Sequence, residues 1–477
     1  MKYETVIGLE VHAELSTKTK IFCSCKNEFG GEPNTRCCPV CTGMPGTLPV
    51  LNKAVVDYAI KAGLATNCSI TKYGKQDRKN YFYPDLPKAY QISQFDLPLC
   101  QNGYIDIEVD GETRRIGITR IHIEEDAGKL IHDDYGNESM ADYNRCGVPL
   151  IEIVSEPDMR SPEEARIYLE TLKSILEYTE VSDCKMQEGS LRCDVNLSLR
   201  PVGQKEFGTR CEMKNVNSFR AAVRAMEYEQ KRQAEILDAG GVVEQETRRW
   251  DDVKGISTPM RSKEDAQDYR YFPEPDLVPI VVSDEWVEEI RSTIPELPEQ
   301  RKARYIGEYG LPEYDAFILT SSKKMADFFD GAVADGATPK AVSNWLMGDI
   351  SKILNDKELE PADIPFTPAQ LAKMIALIEK GTISNSAAKK VLDAMFAEPA
   401  DPEALVEKLG LAQVSDEGAI LTMINDVLSQ NPQSIADYKA GKDKAMGFLV
   451  GQVMRVSKGK ANPQMINKLL KEALDKA

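Results

Sequence analysis

The sequence of 477 residues contains no uninterrupted run of 18 apolar residues, the length that a membrane-spanning helix requires. Its first ten residues, MKYETVIGLE, also lack the basic and apolar regions of a signal peptide. These two absences predict a soluble, cytoplasmic protein with no membrane partner. The eleven cysteines are then expected to stay reduced, so that a close group of them indicates a metal site rather than disulfides.

Three motifs of nucleotide and acyl chemistry are missing as well. The chain has no GxxxxGK[ST] phosphate loop, no GxGxxG turn after a strand pattern and no Gly-Ser-Ser-Gly-type loop that would present a nucleophilic serine. Any phosphate chemistry must therefore use another fold.

Negative charge dominates the chain but not its end. A net charge of -17 argues against a protein that coats nucleic acid along its whole length. Residues 431–477 nevertheless carry nine Lys and Arg against four Asp and Glu. Basic loops around a small apolar helix suit contact with a phosphate backbone, although a lysine-rich solvated surface is the alternative.

Four cysteines have the spacing of a zinc knuckle. Cys23 and Cys25 form one close pair, and the CCPVC stretch that starts at Cys37 supplies a second pair after eleven residues. Cys38 and Cys41 complete a tetrahedral set, and the role of Cys37 stays open. Because four cysteines fill the coordination, the metal is expected to be structural. Reduced core cysteines are the alternative.

The first strand pattern places two carboxylates and a histidine on one face. Residues 5–15 alternate, with apolar side chains on one side and Glu10, His12 and Glu14 on the other. Such a face can bind a divalent ion or supply a general base. A solvated strand face is the alternative.

A second strand pattern, IGITRIHIEEDAGK over residues 116–129, ends in three acidic residues. A simple period of two places Ile118 and Glu124 on one face and Ile121 and Glu125 on the other. Glu125 thus lies on the apolar face, where it must find a cation or a proton, because an isolated buried charge is costly. A strand that ends in a solvated acidic cap is the alternative, and the division of roles among Glu124, Glu125 and Asp126 stays open.

Glu152 is a second carboxylate placed among aliphatic residues, in the strand pattern of residues 144–156. Together with Glu125 and the face that carries Glu10 and His12, it would make a divalent-ion site if the strands meet.

Residues 74–93, GKQDRKNYFYPDLPKAYQIS, interleave cations with aromatic side chains. Lysine and arginine can hold phosphates while aromatic faces stack on bases, so this stretch is typical of a nucleotide or RNA-end cradle. A proline-rich loop with its aromatic rings packed into the core is the alternative.

Helical periods replace the strand patterns from about residue 286 to the end. We therefore predict an α+β fold in three parts. An antiparallel-sheet domain with helices occupies residues 1–292 and includes the knuckle at 23–41, an all-α helical domain occupies 293–405, and a small all-α basic tail domain occupies 406–477. A hinge-like EPADPEA stretch suggests the second boundary.

Nine stretches spread over essentially the whole chain carry a family resemblance. They are GLEVHAEL, DRKNYFYPDLPKAYQISQFD, ITRIHIEEDAGK, LIEIVSEPD, GSLRCDVN, ETRRWD, DYRYFPEPD, SNWLMGD and KAMGFLVGQVM. Together they resemble the B subunits of the bacterial aspartyl/glutamyl-tRNA amidotransferases.

The resemblance implies an ATP-dependent carbon–nitrogen ligase that works as one component of a heterotrimer. The N-terminal domain, a cradle, would bind ATP and the charged 3′ end of misacylated Asp-tRNA(Asn) or Glu-tRNA(Gln), and would phosphorylate the side-chain carboxylate. Ammonia released from glutamine by the amidase (glutaminase) A subunit, which assembles with the small C subunit, would then displace the phosphate. Which of the two tRNAs is used stays open.

The resemblance also implies roles for individual residues. The expected magnesium-binding catalytic residues are Glu10, His12, Glu125 and Glu152. Lys79 and Lys88 are expected to contact phosphate. The zinc ligands Cys23, Cys25, Cys38 and Cys41 match one branch of the family, and the basic tail is expected to dock the body of the tRNA.

Two other classes of protein compete with this interpretation. A non-catalytic tRNA-binding scaffold would position a partner enzyme and would not turn over ATP. A zinc hydrolase would need an open coordination position, against which four cysteine ligands argue.

Overall fold

The computed structural model describes residues 2–132, 138–262, 268–398, 400–413, 417–440, 442, 444–457 and 461–476. The chain forms two compact units, Met1–Pro298 and Glu299–Ala477. The first contains a large sheet and the second is helical, so the predicted α+β class is confirmed. Parts of the predicted tail, residues 414–416, 441, 443, 458–460 and 477, lie outside the described residues.

The strands that the structure describes all belong to the first unit. They are β1 (Tyr3–Glu14), β2 (Ser69–Ile70), β3 (Tyr73–Gly74), β4 (Asp77–Asn80), β5 (Tyr90–Ser93), β6 (Cys100–Val109), β7 (Glu112–Glu125), β8 (Lys129–His132), β9 (Ser139–Asp142), β10 (Pro149–Ser155), β11 (Leu191–Pro201), β12 (Cys211–Val216), β13 (Glu246–Asp251), β14 (Ile256–Ser262), β15 (Phe272–Pro273) and β16 (Ile280–Val281).

Nine of these strands form one sheet in the order β14-β13-β12-β11-β1-β10-β7-β6-β2. Its pairs are antiparallel except for β12 with β13, which run parallel. Strands β15, β4 and β5 form a smaller sheet, and β5 packs against β7. The strand patterns at residues 5–15, 116–129 and 144–156 therefore become neighbours in the large sheet.

Helices cover one face of the large sheet. They are α1 (Lys53–Ala65), α2 (Pro162–Tyr178) and α3 (Phe219–Asp238), and α4 (Asp284–Arg291) packs on α1. Beneath them, the odd-numbered apolar side chains of β1 are at most 1% exposed, and each buried aliphatic side chain contributes about 1.5–3 kcal/mol to folding. Ser161 caps the start of helix α2, and its hydroxyl accepts a hydrogen bond from the backbone of Glu164. The even-numbered side chains of β1 consequently lie on the opposite, polar face.

Strand β7 departs from the predicted simple alternation. A period of two would place Ile118 and Ile121 on opposite faces, yet both are buried in the same apolar cluster. The pairing of β10 with β7 shifts register between Val154, opposite Arg120, and Ser155, opposite Ile118. Such a bulge adds one residue to β7. The apolar side chains before and after the bulge therefore point to the same face of the sheet. The strand therefore keeps apolar residues in the core on both sides of the bulge.

The second unit is built from short helices. They are α5 (Pro298–Gly307), α6 (Glu313–Thr320), α7 (Lys323–Ala334), α8 (Pro339–Trp345), a π-helical turn (Leu346–Ile350), α9 (Ser351–Asp356), a 3-10 turn (Pro361–Asp363), α10 (Pro368–Glu379), α11 (Asn385–Ala397), α12 (Pro402–Lys408), α13 (Glu417–Gln430), α14 (Pro432–Lys439), α15 (Lys444–Val456) and α16 (Pro463–Lys476).

Among the described residues of the second unit, two apolar clusters are found, one within residues 305–406 and one within 420–474. The expected boundary between residues 405 and 406 falls inside α12, at the end of the first cluster, and stays a prediction. In the part of the chain that the structure describes, no helix is both long enough and apolar enough to cross a bilayer.

Candidate functional site

Four neighbouring strands bring polar side chains into one row across the large sheet. His12 on β1 lies opposite Glu152 on β10, and Glu152 lies opposite His122 on β7. On the other side, His12 lies opposite Arg192 on β11. Directly paired residues point to the same face of a sheet, so all four side chains share the face turned away from the helices.

Three side chains of this face have the arrangement of a divalent-ion site. His12 Nε2 lies 3.4 Å from Glu124 Oε1 and 3.6 Å from Glu152 Oε2. The three ligand atoms all lie within 4.8 Å of one another. One imidazole nitrogen and two carboxylate oxygens form a donor set that suits a divalent cation, with positions left for water or phosphate oxygens.

Opposite charges stabilise each other inside this group. Burial alone would raise the pKa of Glu124, but His12 and His122 outweigh it and hold the pKa well below its usual range. Burial lowers the pKa of His12, but the hydrogen bond to Glu124 and the charge of Glu152 outweigh it, and the net pKa is raised. The carboxylates are therefore ionised in a water-poor place, where a bound cation is held strongly.

His122 is a residue of this group that sequence reasoning missed. Its Nε2 lies 3.0 Å from Glu152 Oε2 and 3.7 Å from Glu124 Oε2. Arg120 Nε donates a hydrogen bond to His122 Nδ1 at 3.2 Å, so the ring carries its proton on Nε2 and donates it to Glu152. The alternation of Arg120, His122 and Glu124 along β7 was the signal that could have found it.

Glu10 belongs to a neighbouring acidic group on the same face. Its carboxylate accepts a hydrogen bond from Asn196 Nδ2 at 2.9 Å, and burial, followed by the charge of Glu152, raises its pKa. Oxygen atoms of Glu10, Asp194 and Glu212 lie within 4.8 Å of one another. Lys214 forms ion pairs with Asp194 and with Glu212, the latter at 2.9 Å. This group is therefore already partly neutralised by a cation of the chain.

Lys79 borders the first group from the smaller sheet. Burial lowers the pKa of Lys79, but the charges of Glu124, Glu152 and the nearby tyrosines together outweigh it, and the pKa is raised. Its Nζ lies 4.9 Å from the centre of the Tyr269 ring. That ring belongs to a series of aromatic contacts formed by Tyr81, Tyr269, Tyr271 and Phe95. A cation and a series of aromatic rings beside ionised carboxylates are features of a site that binds phosphates and bases.

Glu125 lies apart from its neighbour Glu124, because successive side chains of a strand point to opposite faces. It accepts a hydrogen bond from the backbone of Ile92 at 2.9 Å and forms an ion pair with Lys88. Only 3% of the Glu125 side chain and 9% of the Lys88 side chain are exposed. Glu125 was expected to find a cation or a proton, and the structure gives it the cation of Lys88. The structure does not bring it beside His12, the arrangement that the resemblance implied.

The side chain of Asp126 has partners different from those of Glu124 and Glu125. Its carboxylate pairs with Arg192 at 3.0 Å and with Arg145 at 3.4 Å. The three consecutive acidic residues thus have separate partners, and only Glu124 joins the group of His12 and Glu152.

The four predicted zinc ligands come together. Sγ of Cys41 lies 3.4 Å from that of Cys23, 3.7 Å from that of Cys38 and 3.8 Å from that of Cys25. Sulfurs that surround zinc tetrahedrally at about 2.3 Å are about 3.8 Å apart, so the spacing fits this ion. The hydrogen bond from Cys23 lowers the pKa of the Cys41 thiol to about 4. Cys37 points elsewhere, with its sulfur 3.4 Å from the Asn34 carbonyl oxygen.

Comparison with known proteins assigns the chain to a family. A family model described as the GatB/GatE catalytic domain matches residues 5–288, and one described as the GatB domain matches residues 327–474. Relatives named as the B subunit of aspartyl/glutamyl-tRNA(Asn/Gln) amidotransferase include proteins of Caldicellulosiruptor bescii, 67% identical over 479 residues, and Thermoanaerobacter pseudethanolicus, 64% identical over 476 residues. Both alignments cover 100% of both chains. The relative of Brevibacillus brevis is 60% identical over 474 residues, 99% of each chain. The polar face lies within the first matched region, and the chain belongs to the family of aspartyl/glutamyl-tRNA(Asn/Gln) amidotransferase B subunits.

Proposed function

We propose that this chain performs the ATP-dependent activation step in the amidation of Asp-tRNA(Asn) or Glu-tRNA(Gln). The observation that carries the proposal is the close group of His12, Glu124 and Glu152, bordered by Lys79 and a series of aromatic rings. The partners would be an amidase A subunit, which releases ammonia from glutamine, and a small C subunit.

The proposed ligands of magnesium are His12, Glu124 and Glu152. The ionised carboxylates of Glu124 and Glu152 and the short distances among the three ligand atoms fit a divalent ion. His122 keeps Glu152 in place through its Nε2 proton. When bound, magnesium neutralises the charge of phosphate groups during phosphoryl transfer. Of the carboxylates expected at the outset, Glu10 would act from the neighbouring group, whereas the pairing of Glu125 with Lys88 favours a structural role for it.

Lys79 is the proposed contact of the chain with phosphate oxygens. Its charge is retained in a half-buried position near Glu124, where its ammonium group would attract a polyphosphate. Lys88 is already paired with Glu125, so its proposed role is to hold that carboxylate rather than a phosphate.

The chemistry requires activation because hydroxide is a poor leaving group. Phosphorylation of the side-chain carboxylate gives an acyl phosphate, from which ammonia displaces inorganic phosphate. The chain's residues would align the γ-phosphate of ATP with the carboxylate oxygen and exclude water, which would otherwise hydrolyse the acyl phosphate.

The test uses the chain assembled with its amidase partner. Formation of Asn-tRNA and Gln-tRNA is measured from Asp-tRNA and Glu-tRNA, with and without ATP. We expect amide only in the presence of ATP. ATP-independent amide formation, or glutamine hydrolysis without any amide, would favour the non-catalytic scaffold instead.

We also propose a structural zinc ion in the four-cysteine cluster and tRNA docking by the basic tail.

The prediction for the metal is a single zinc ion per purified chain, measured by elemental mass spectrometry. Cys38→Ser should lose most of the zinc because it removes a ligand. Its neighbour Cys37 provides the matched control, since Cys37→Ser removes a thiol that points away from the cluster. Equal zinc content in the two variants would contradict the ligand assignment.

A further inference from the structure

Lys20 is a lysine whose side chain is completely buried in the first unit. Its relative exposure is 0%, which is unusual for an ammonium group because burial of an uncompensated charge is costly. Its Nζ donates hydrogen bonds to the carbonyl oxygens of Arg36 and Cys146, each at 2.7 Å. These two carbonyl groups provide hydrogen bonds but no negative charge.

The third partner of Lys20 is a sulfur of the cysteine cluster. Nζ lies 3.7 Å from Cys41 Sγ, and none of its hydrogen-bond partners in the described residues is a carboxylate. The negative charge next to this ammonium group is therefore that of the cysteine cluster. Four thiolates around one zinc ion carry a net charge of -2, which a buried lysine partly neutralises.

From these contacts we infer that Lys20 is the counter-charge and positioning residue of the metal-loaded cluster of Cys23, Cys25, Cys38 and Cys41. The inference rests on the zinc ion proposed above. Lys20 attracts the thiolates electrostatically, and its two carbonyl contacts join the segment at Arg36, inside the knuckle, to the segment at Cys146, which precedes β10. Loss of the metal removes the ion that holds the four sulfurs together next to Lys20 and so loosens the segments that enclose its ammonium group.

The first test measures how fast the purified full-length chain releases zinc to a chromogenic chelator. Lys20→Met keeps the approximate length of the side chain and removes its charge. We expect release at least about 10-fold faster than from wild type, the usual effect of losing an outer contact of a metal site. The matched control is Lys18→Met, because Lys18 is two residues away and exposed. Equal release from the two variants would overturn the role of Lys20.

A charge-conserving variant separates electrostatics from packing. Lys20→Arg is expected to release zinc more slowly than Lys20→Met. Equal rates for these two variants would show that side-chain fit, and not charge, controls release, and would overturn the counter-charge.

A second measurement needs no substitution and covers the case in which Lys20→Met does not fold. Wild-type chain, loaded with zinc or stripped by a chelator under reducing conditions, is treated with an amine-acylating reagent, and the modified lysines are identified by mass spectrometry. Lys20 should be protected in the loaded chain and modified in the stripped chain, whereas the exposed Lys18 should be modified in both. Undiminished protection of Lys20 after stripping would overturn the inference.

Zinc content of wild type distinguishes the two proposals. Wild type that binds no zinc, even after reconstitution, would overturn the metal centre itself. If wild type binds zinc and the Lys20→Met variant releases it at the same rate, only the role of Lys20 is overturned.

Discussion

The Glu124→Gln variant is expected to lower the rate of ATP-dependent amide formation by about 100- to 1,000-fold, the usual loss when one preorganised electrostatic group is removed from an active site. Glutamine keeps the shape of the side chain but removes the charge that faces His12 at 3.4 Å and His122 at 3.7 Å. The proposed divalent ion would lose one of its three ligands from the chain.

The measurement is single-turnover amide formation in the assembled complex, with ammonium chloride as nitrogen donor so that the amidase partner does not limit the rate. Glu112→Gln is the matched control, because it removes the same charge from the other end of β7, where the side chain is 78% exposed. A melting temperature near that of wild type would show that Glu124→Gln folds. Wild-type rates in the Glu124→Gln variant would contradict the assignment of this carboxylate to the active site.

The Glu125→Gln variant is expected to act on stability instead. It leaves the Lys88 ammonium group buried without its carboxylate partner, and breaking a buried ion pair in this way costs about 3–5 kcal/mol. The free energy of unfolding, measured with a chemical denaturant, should fall by about that amount. At a temperature where the variant is folded, it should form amide much faster than Glu124→Gln does.

A double variant tests the cause of that loss. Glu125→Leu combined with Lys88→Met replaces the ion pair by apolar side chains of similar size, and such replacements are often neutral or stabilising. The double variant should therefore recover most of the free energy of unfolding lost in Glu125→Gln. A double variant as unstable as the single one would contradict the view that an unpaired lysine is the source of the loss.

The family, the fold class and the two kinds of candidate ligands were predictable from the sequence. The resemblance carried by the nine stretches is confirmed by the family models and by relatives such as one that is 67% identical. The expectation of a component of a ligase complex is confirmed with it. Spacing alone selected the four cysteines whose sulfurs lie together. These predictions succeeded because they depend on residues close together in the chain, where the side-chain period of a strand or the reach of a short loop limits the geometry.

The membership of the acidic group was decided by the tertiary structure. Periodicity placed Glu124 and Glu125 on opposite faces of β7. It did not show which of the two carboxylates would share a face with His12 on β1 and Glu152 on β10. That followed from the bulge near Ile118 and from the register that sets His12 opposite Glu152. Strand order and register result from hydrogen bonds between segments that are far apart in the chain, so they decide that Glu124 joins the histidines while Glu125 pairs with Lys88.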